Sequence, residues 1–71
     1  MRNLQPVIHN QTLVAVIVAG RAVIDDTLSD HLFRHAQAMC LYALELAEEG
    51  CPQAYTDADA DAYARAALAP R

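Results

Sequence analysis

Residues 27–50 read TLSDHLFRHAQAMCLYALELAEEG, and this segment carries the clearest structural signal in the chain. Its interior is rich in Ala, Leu, Met, Gln and Glu, which favour helices. Thr27 and Asp30 have the spacing of a capping-box variant at a helix start. Gly50 suits the left-handed backbone that closes a helix, and Pro52 cannot continue one. The sequence therefore predicts a helix over about residues 28–49.

This helix is amphipathic, with a wide apolar side. At about 100° per residue its apolar side chains cover an arc of roughly 160°, wider than the stripe of about 100° typical of a surface helix. The arc consists of Leu28, Leu32, Phe33, Ala36, Met39, Cys40, Ala43, Leu44, Leu46 and Ala47. The opposite side carries Asp30, Arg34, Gln37, Glu45 and Glu48. Such a helix needs other elements packed on two sides.

Residues 7–24 allow two interpretations. Their many β-branched residues favour strands, and Gly20-Arg21 supplies a turn between two apolar runs. The same residues also cluster on a helical wheel. A glycine in the middle and Asp25-Asp26 at the negative end both oppose that helix. We therefore expect a β-hairpin, with a helix as the alternative.

The C-terminal part of the chain predicts a second helix. Thr56 and Asp59 repeat the capping-box spacing, and a short helix is expected over residues 57–69. The predicted fold is α+β: an N-terminal β-hairpin, a long central helix and a short C-terminal helix in a single domain of residues 1–71. Residues 1–6 are expected to be frayed. The alternative is an all-α three-helix fold.

The apolar content of so short a chain predicts a homodimer. A chain of 71 residues has a marginal core on its own, yet 55% of these residues are hydrophobic. In a strand, alternation would place Val14, Val16 and Val18 on one face and Leu13, Ala15 and Ile17 on the other. Both faces would be apolar, so one would need a second chain. The predicted dimer interface consists of Val14, Val16, Val18 and Ile17.

Charge and composition argue against nucleic-acid and membrane partners. The net charge is −4, and the basic residues are scattered rather than clustered. The apolar run of residues 13–18 is too short to span a bilayer and lacks the features of a signal peptide. Cys40 and Cys51 are predicted to stay reduced, because the helix separates them by roughly 14 Å. We expect a cytoplasmic protein, and the Ala-rich, Lys-free composition is typical of a GC-rich bacterium or its phage.

Two motifs resemble metal sites without completing one. His31 and His35 have the i, i+4 spacing of paired metal ligands, but no third ligand is nearby, and only tertiary folding could bring His9 close. The run DADADA at residues 57–62 resembles the start of a calcium loop. Such a loop needs glycine and glutamate where this chain has Ala62 and Leu68, so helix N-terminal acids explain the run better.

We therefore predict no metal and no cofactor. The sequence also shows no phosphate-binding glycine loop, no nucleophile elbow and no Cys–His pair at a helix start. The chain is accordingly predicted not to be an enzyme.

The polar side of the central helix is interrupted by apolar residues. Leu41 lies among charged residues, and Tyr42 combines an apolar body with a polar tip, as interface residues often do. The predicted partner-binding residues are Leu41, Tyr42, Ala38, His31, Arg34 and Glu45. The predicted function is a small acidic interaction module that binds, and inhibits or modulates, a larger regulator or enzyme. The alternatives are a metal or small-ligand sensor using His31, His35 and Cys40 from two subunits, and an assembly subunit of a larger complex.

Overall fold

The protein folds as a three-stranded antiparallel sheet followed by two helices, in a computed structural model that describes residues 4–50 and 56–70. The elements are β1 (Leu4–His9), β2 (Thr12–Val18), β3 (Arg21–Ile24), α1 (Asp30–Glu48) and α2 (Asp57–Leu68). The strand order is β1-β2-β3. The predicted α+β fold is confirmed, and the all-α alternative is wrong. Cys51 and Pro52 lie outside the described residues.

Strand β1 adds an element that the sequence reading did not contain. The prediction that residues 1–6 are frayed is wrong for residues 4–6, and residues 1–3 lie outside the described part. Leu4 pairs with Val18 and Pro6 with Val16 in an antiparallel register. Pro6 is tolerated because β1 lies at the edge of the sheet, where a missing N–H need not break a ladder.

Both hairpin turns use left-handed backbone. Asn10 and Gln11, between β1 and β2, have φ angles of 50° and 65°, and Ala19 and Gly20, between β2 and β3, have φ angles of 54° and 73°. Two consecutive left-handed residues are typical of type I′ turns, whose twist matches that of the flanking strands. Gly20 lies in the turn as expected. Its companion is Ala19, because Arg21 already belongs to β3.

Helix α1 begins two residues later than predicted. Ser29 caps it, with its side-chain oxygen accepting a hydrogen bond from the Leu32 N–H at 3.3 Å. Thr27 instead donates from its N–H and hydroxyl to the Asp25 carboxylate at 2.9 and 2.6 Å, and these bonds lower the pKa of Asp25. The predicted end is confirmed, because Gly50 has a φ of 78° and follows the last turn.

The core lies between the sheet and the two helices. Its buried apolar residues are Val7, Val14, Ala15, Ile17, Ala36, Met39, Cys40, Ala43, Ala60 and Ala64. A register shift in the β1–β2 pairing makes Val14 an extra residue, since Val7 pairs with Ala15 and Ile8 with Leu13. The predicted interface role of Val14 and Ile17 is therefore wrong, because both side chains are buried inside the chain itself.

Helix α2 starts as the sequence predicts and packs closely on α1. The Thr56 side chain caps it by accepting a hydrogen bond from the Asp59 N–H at 3.1 Å. Ala60 and Ala64 are fully buried, and their small side chains allow the two helices to approach. Neither α1 nor α2 is both long and apolar enough to be a membrane-crossing helix.

Candidate interaction surface and histidine–aspartate cluster

One side of the sheet carries a row of apolar side chains that the helices do not cover. Strand alternation places Val7, Ala15 and Ile17 toward the helices, so their neighbours along each strand point the other way. The outward positions are Leu4, Pro6, Ile8, Leu13, Val16, Val18, Arg21 and Val23, which we call the outer sheet face. Arg21 is the one ionisable residue among these strand positions.

The exposure of this face is large for apolar residues. Leu4 is 66% exposed, Leu13 is 53% exposed and Val23 is 61% exposed. A shallow depression of about 230 Å³ lies beside them, bordered by Leu13, Val16, Val23 and Asp25 among others. Single exposed apolar residues are common, but a contiguous group is typical of an interaction site.

The predicted interface residues of β2 are divided by strand alternation and by the bulge at Val14. Val16 and Val18 belong to the outer sheet face and are half-buried, whereas Val14 and Ile17 are in the core. An exposed apolar sheet face is therefore present, and its other members are Leu13 of β2 and residues of β1 and β3. The β1 members were missed because β1 was not predicted as a strand, and Leu13 was assigned to the other face because the extra residue at Val14 was not foreseen.

The predicted partner-binding residues of α1 also separate into two groups. Leu41 is 51% exposed, and His31, Arg34 and Glu45 are exposed around the same helix. Ala38 and Tyr42 are half-buried and pack against the core. Tyr42 also contacts Tyr63 of α2, with ring centroids 4.9 Å apart. Internal packing therefore accounts for Ala38 and Tyr42, and Leu41 remains as the exposed apolar residue of this surface.

A second feature joins three elements at one end of the sheet. His9 at the end of β1 donates from Nδ1 to Asp61 Oδ1 at 2.8 Å. His35 in α1 donates from Nε2 to the same oxygen at 2.6 Å. The two imidazole rings lie 4.5 Å apart between centroids. We call His9, His35 and Asp61 the His–Asp cluster.

The cluster is largely shielded from solvent and is held by neighbouring side chains. The side chains of His9, His35 and Asp61 are 14%, 8% and 21% exposed. Arg65 donates from Nε to Asp61 Oδ2 at 2.8 Å. Desolvation alone would raise the pKa of Asp61, but hydrogen bonds from His35 and His9 and the charge of Arg65 outweigh it and lower that pKa.

The sequence reading found only part of this cluster. His35 was considered together with His31 and Cys40, and His9 only as a residue that tertiary folding could bring close. Cys40 is instead buried in the core, where desolvation raises the pKa of its thiol. Asp61 was assigned to the acidic start of a helix. Neither interpretation could find the cluster, because His9 and His35 lie 52 and 26 residues from Asp61 in the sequence.

A groove of about 490 Å³ opens beside the cluster. It is bordered by His9, Asn10, His31, His35, Arg65, Leu68, Ala69 and Pro70. His31 is exposed and lies one helical turn before His35 on the groove wall. The cluster is therefore shielded on the core side and accessible from this groove.

Comparison with protein-family models, with curated proteins and with solved structures gives no significant match.

Proposed function

We propose that this protein is a small, non-enzymatic protein–protein interaction module that forms a homodimer through its outer sheet face. The observation that carries the proposal is the apolar composition of that face, on which Leu4, Leu13 and Val23 are each more than half exposed. Within the described residues, no helix or strand packs against it. Burial of this surface against another protein is favourable because it removes apolar atoms from water.

The outer sheet face extends across all three strands of the sheet. Three strands about 4.8 Å apart and roughly six residues long give a patch of about 14 by 20 Å. Apolar patches of a few hundred Å² on a monomer are often functional. Two sheets can pack face to face with about 10 Å between them, which lets side chains from both faces interdigitate.

A second copy of the chain is the occupant that this face fits. The chain carries a net charge of −4, so two copies repel overall, but the outer sheet face itself contains no acidic strand residue. Arg21 begins β3 and Asp25 follows its end. A two-fold axis that crosses β3 close to Val23 would bring Arg21 of each copy toward Asp25 of the other, because a two-fold interface pairs residue i with j and j with i. The depression beside Val23 would receive apolar side chains of the second copy.

The outward surface of α1 stays free in such a dimer. Leu41, with Arg34 and Glu45 around it, faces away from the core. We assign the binding of a larger regulator or enzyme to this surface, where a bound dimer would inhibit or modulate its partner. The free, buried thiol of Cys40 is in keeping with a reducing compartment such as the cytoplasm.

Light scattering coupled to size exclusion tests the dimer at micromolar concentration. We expect the wild type to have the mass of two chains and Val23→Lys to have the mass of one, because a lysine on the outer sheet face would be desolvated in the interface. Leu41→Lys is the matched control, since it introduces the same charge at a similarly exposed apolar residue. We expect this variant to remain dimeric.

Three outcomes would contradict the proposed function. A monomeric, well-folded wild type would exclude the homodimer. A dimer broken by Leu41→Lys but not by Val23→Lys would move the interface to α1. A wild type that is poorly soluble alone and becomes stable only when it is co-expressed with a different chain would favour the assembly-subunit alternative, in which that chain covers the outer sheet face.

A further inference from the structure

We propose that the His–Asp cluster binds one divalent transition-metal ion of the zinc type through His9 Nδ1, His35 Nε2 and Asp61 Oδ1. One ligand atom from each of the three residues lies within 4.8 Å of the other two. Two imidazole nitrogens and one carboxylate oxygen are ligands that Zn²⁺ and its neighbours in the first transition row prefer. The inference does not depend on the dimer, because the cluster lies on the helix side of the sheet.

The geometry of the hydrogen bonds carries this inference. Both imidazoles approach the same oxygen, Asp61 Oδ1, at 2.8 and 2.6 Å, instead of dividing between the two carboxylate oxygens. The two imidazole nitrogens therefore converge on a single carboxylate oxygen. A tetrahedral zinc ion with ligands at about 2.0–2.2 Å separates its donor atoms by roughly 3.3 Å. The two N···O contacts would need to lengthen by about 0.5–0.7 Å, and the two ligating nitrogens would need to settle at the same separation, within a cluster whose ligand atoms already lie within 4.8 Å of one another. The ion would take the place of the two N–H protons, and each imidazole would then carry its proton on the other ring nitrogen.

The three ligands are held by three different elements. His9 ends β1, His35 lies in α1 and Asp61 lies in α2, so the site exists only when the sheet and both helices are assembled. Side chains that are mostly buried in packed elements lose little conformational freedom when they bind an ion. A bound ion would therefore also hold β1, α1 and α2 together.

Two neighbouring residues complete the support that a metal site needs. Arg65 occupies Asp61 Oδ2, which leaves Oδ1 for the ion and fixes the carboxylate plane. Asn10 contributes an amide 3.3 Å from His9 Nε2. When Nδ1 of His9 holds the ion, Nε2 must carry the proton, and the Asn10 amide can rotate so that its oxygen accepts this N–H.

The site would have an open position. Sites with three protein ligands keep a fourth place for water or another molecule. The groove beside the cluster gives that place access to solvent, and exposed His31 borders the same groove. A small anion or a side chain of a bound protein could therefore reach the ion.

Zinc titration of the wild-type protein, followed by ¹⁵N NMR of the imidazole nitrogens, is the first test. We expect saturation at one Zn²⁺ per chain, with changes at His9 Nδ1 and His35 Nε2 that are reversed by a chelator. Magnesium should leave these signals unchanged, because Mg²⁺ prefers oxygen ligands. No change at His9 and His35 with excess Zn²⁺ would overturn the proposal.

Cobalt and ligand variants provide the second test. Co²⁺ should give visible d–d bands without a thiolate charge-transfer band. A thiolate band would overturn the proposal, because it would show that the metal is bound by cysteine. His9→Gln and Asp61→Asn should each weaken Zn²⁺ binding by at least about 10-fold. Asp59→Asn is the matched control for charge, because Asp59 is exposed in the same helix, and it should bind like the wild type. Equal affinity in all four proteins would contradict the assigned ligands even if a variant is less stable.

Discussion

Asp61 connects three elements through one side chain. Its Oδ1 accepts hydrogen bonds from His9 of β1 and His35 of α1, and its Oδ2 accepts one from Arg65 of its own helix. Hydrogen bonds to a charged group are stronger than those between neutral groups. The stability of the α2 docking should therefore depend on the ionisation of this carboxylate.

We predict that Asp61→Asn lowers the free energy of unfolding by about 1–2 kcal/mol near neutral pH, a value reduced from that of a fully buried charge because the side chain is partly exposed. The pKa of Asp61 is lowered in the folded protein, so its stabilisation is complete above the ordinary value of 3.8 and is lost as the pH falls through the lowered pKa. Urea unfolding of wild type and variant should therefore differ near neutral pH and converge below pH 3.8.

Asp59→Asn is the control for this prediction, since it removes the same charge from an exposed position in α2. It should change the free energy of unfolding by less than about 0.5 kcal/mol. If the free energies of unfolding of wild type and Asp61→Asn differ by the same amount at acidic pH as near neutral pH, the carboxylate charge is not what stabilises the docking of α2.

Residue-scale chemistry was the least predictable part of this protein. The helix cap at Thr56 and the glycine at position 50 were predicted correctly because each depends on neighbours within a few residues. The role of His9 depends on its orientation at the end of β1, a strand that was not predicted from the sequence. A side chain whose partners are 26 and 52 residues away leaves no local pattern in the sequence.

Among the elements, α1 is the one that the sequence specifies most clearly. Its wide apolar arc predicts cover on two sides, and the structure supplies the sheet on one side and α2 on the other. Strand β1 was missed because Leu4–His9 contains a proline and polar residues, and an edge strand owes its order to pairing with β2. The hydrophobic periodicity of a segment indicates how that segment is buried, whereas strand pairing also depends on the segment with which it pairs.

The contact between α1 and α2 leads to a prediction at the scale of elements. Ala64 is completely buried between packed elements, so the larger side chain in Ala64→Leu would push α2 away from α1 and destabilise the fold by about 1–3 kcal/mol. Ala66→Leu is the matched control, because Ala66 is exposed in the same helix. Thermal and urea unfolding should show a loss of stability for Ala64→Leu and almost none for Ala66→Leu. Equal stability of both variants would show that α2 is not tightly docked.

At the scale of the whole molecule, the two proposals use opposite sides of the sheet. The outer sheet face is proposed to bind a second copy, and the His–Asp cluster on the helix side is proposed to bind an ion that ties the elements of one chain together. Dimer formation should therefore make stability depend on chain concentration, whereas metal binding should make it depend on metal concentration. The two effects can be measured separately on the same protein.

We predict that the midpoint of thermal unfolding of the wild type rises by about 5 °C for a tenfold increase in chain concentration, as expected for unfolding coupled to dissociation of a dimer with an unfolding enthalpy of roughly 100 kcal/mol. Val23→Lys should have a lower midpoint that does not change with concentration, and Leu41→Lys should behave like the wild type. Saturating Zn²⁺ should raise the midpoint of all three proteins, because none of these substitutions touches the His–Asp cluster. A midpoint in the wild type that does not change with chain concentration would refute the dimer but not the metal site. A midpoint that does not change with Zn²⁺ would refute the metal site but not the dimer.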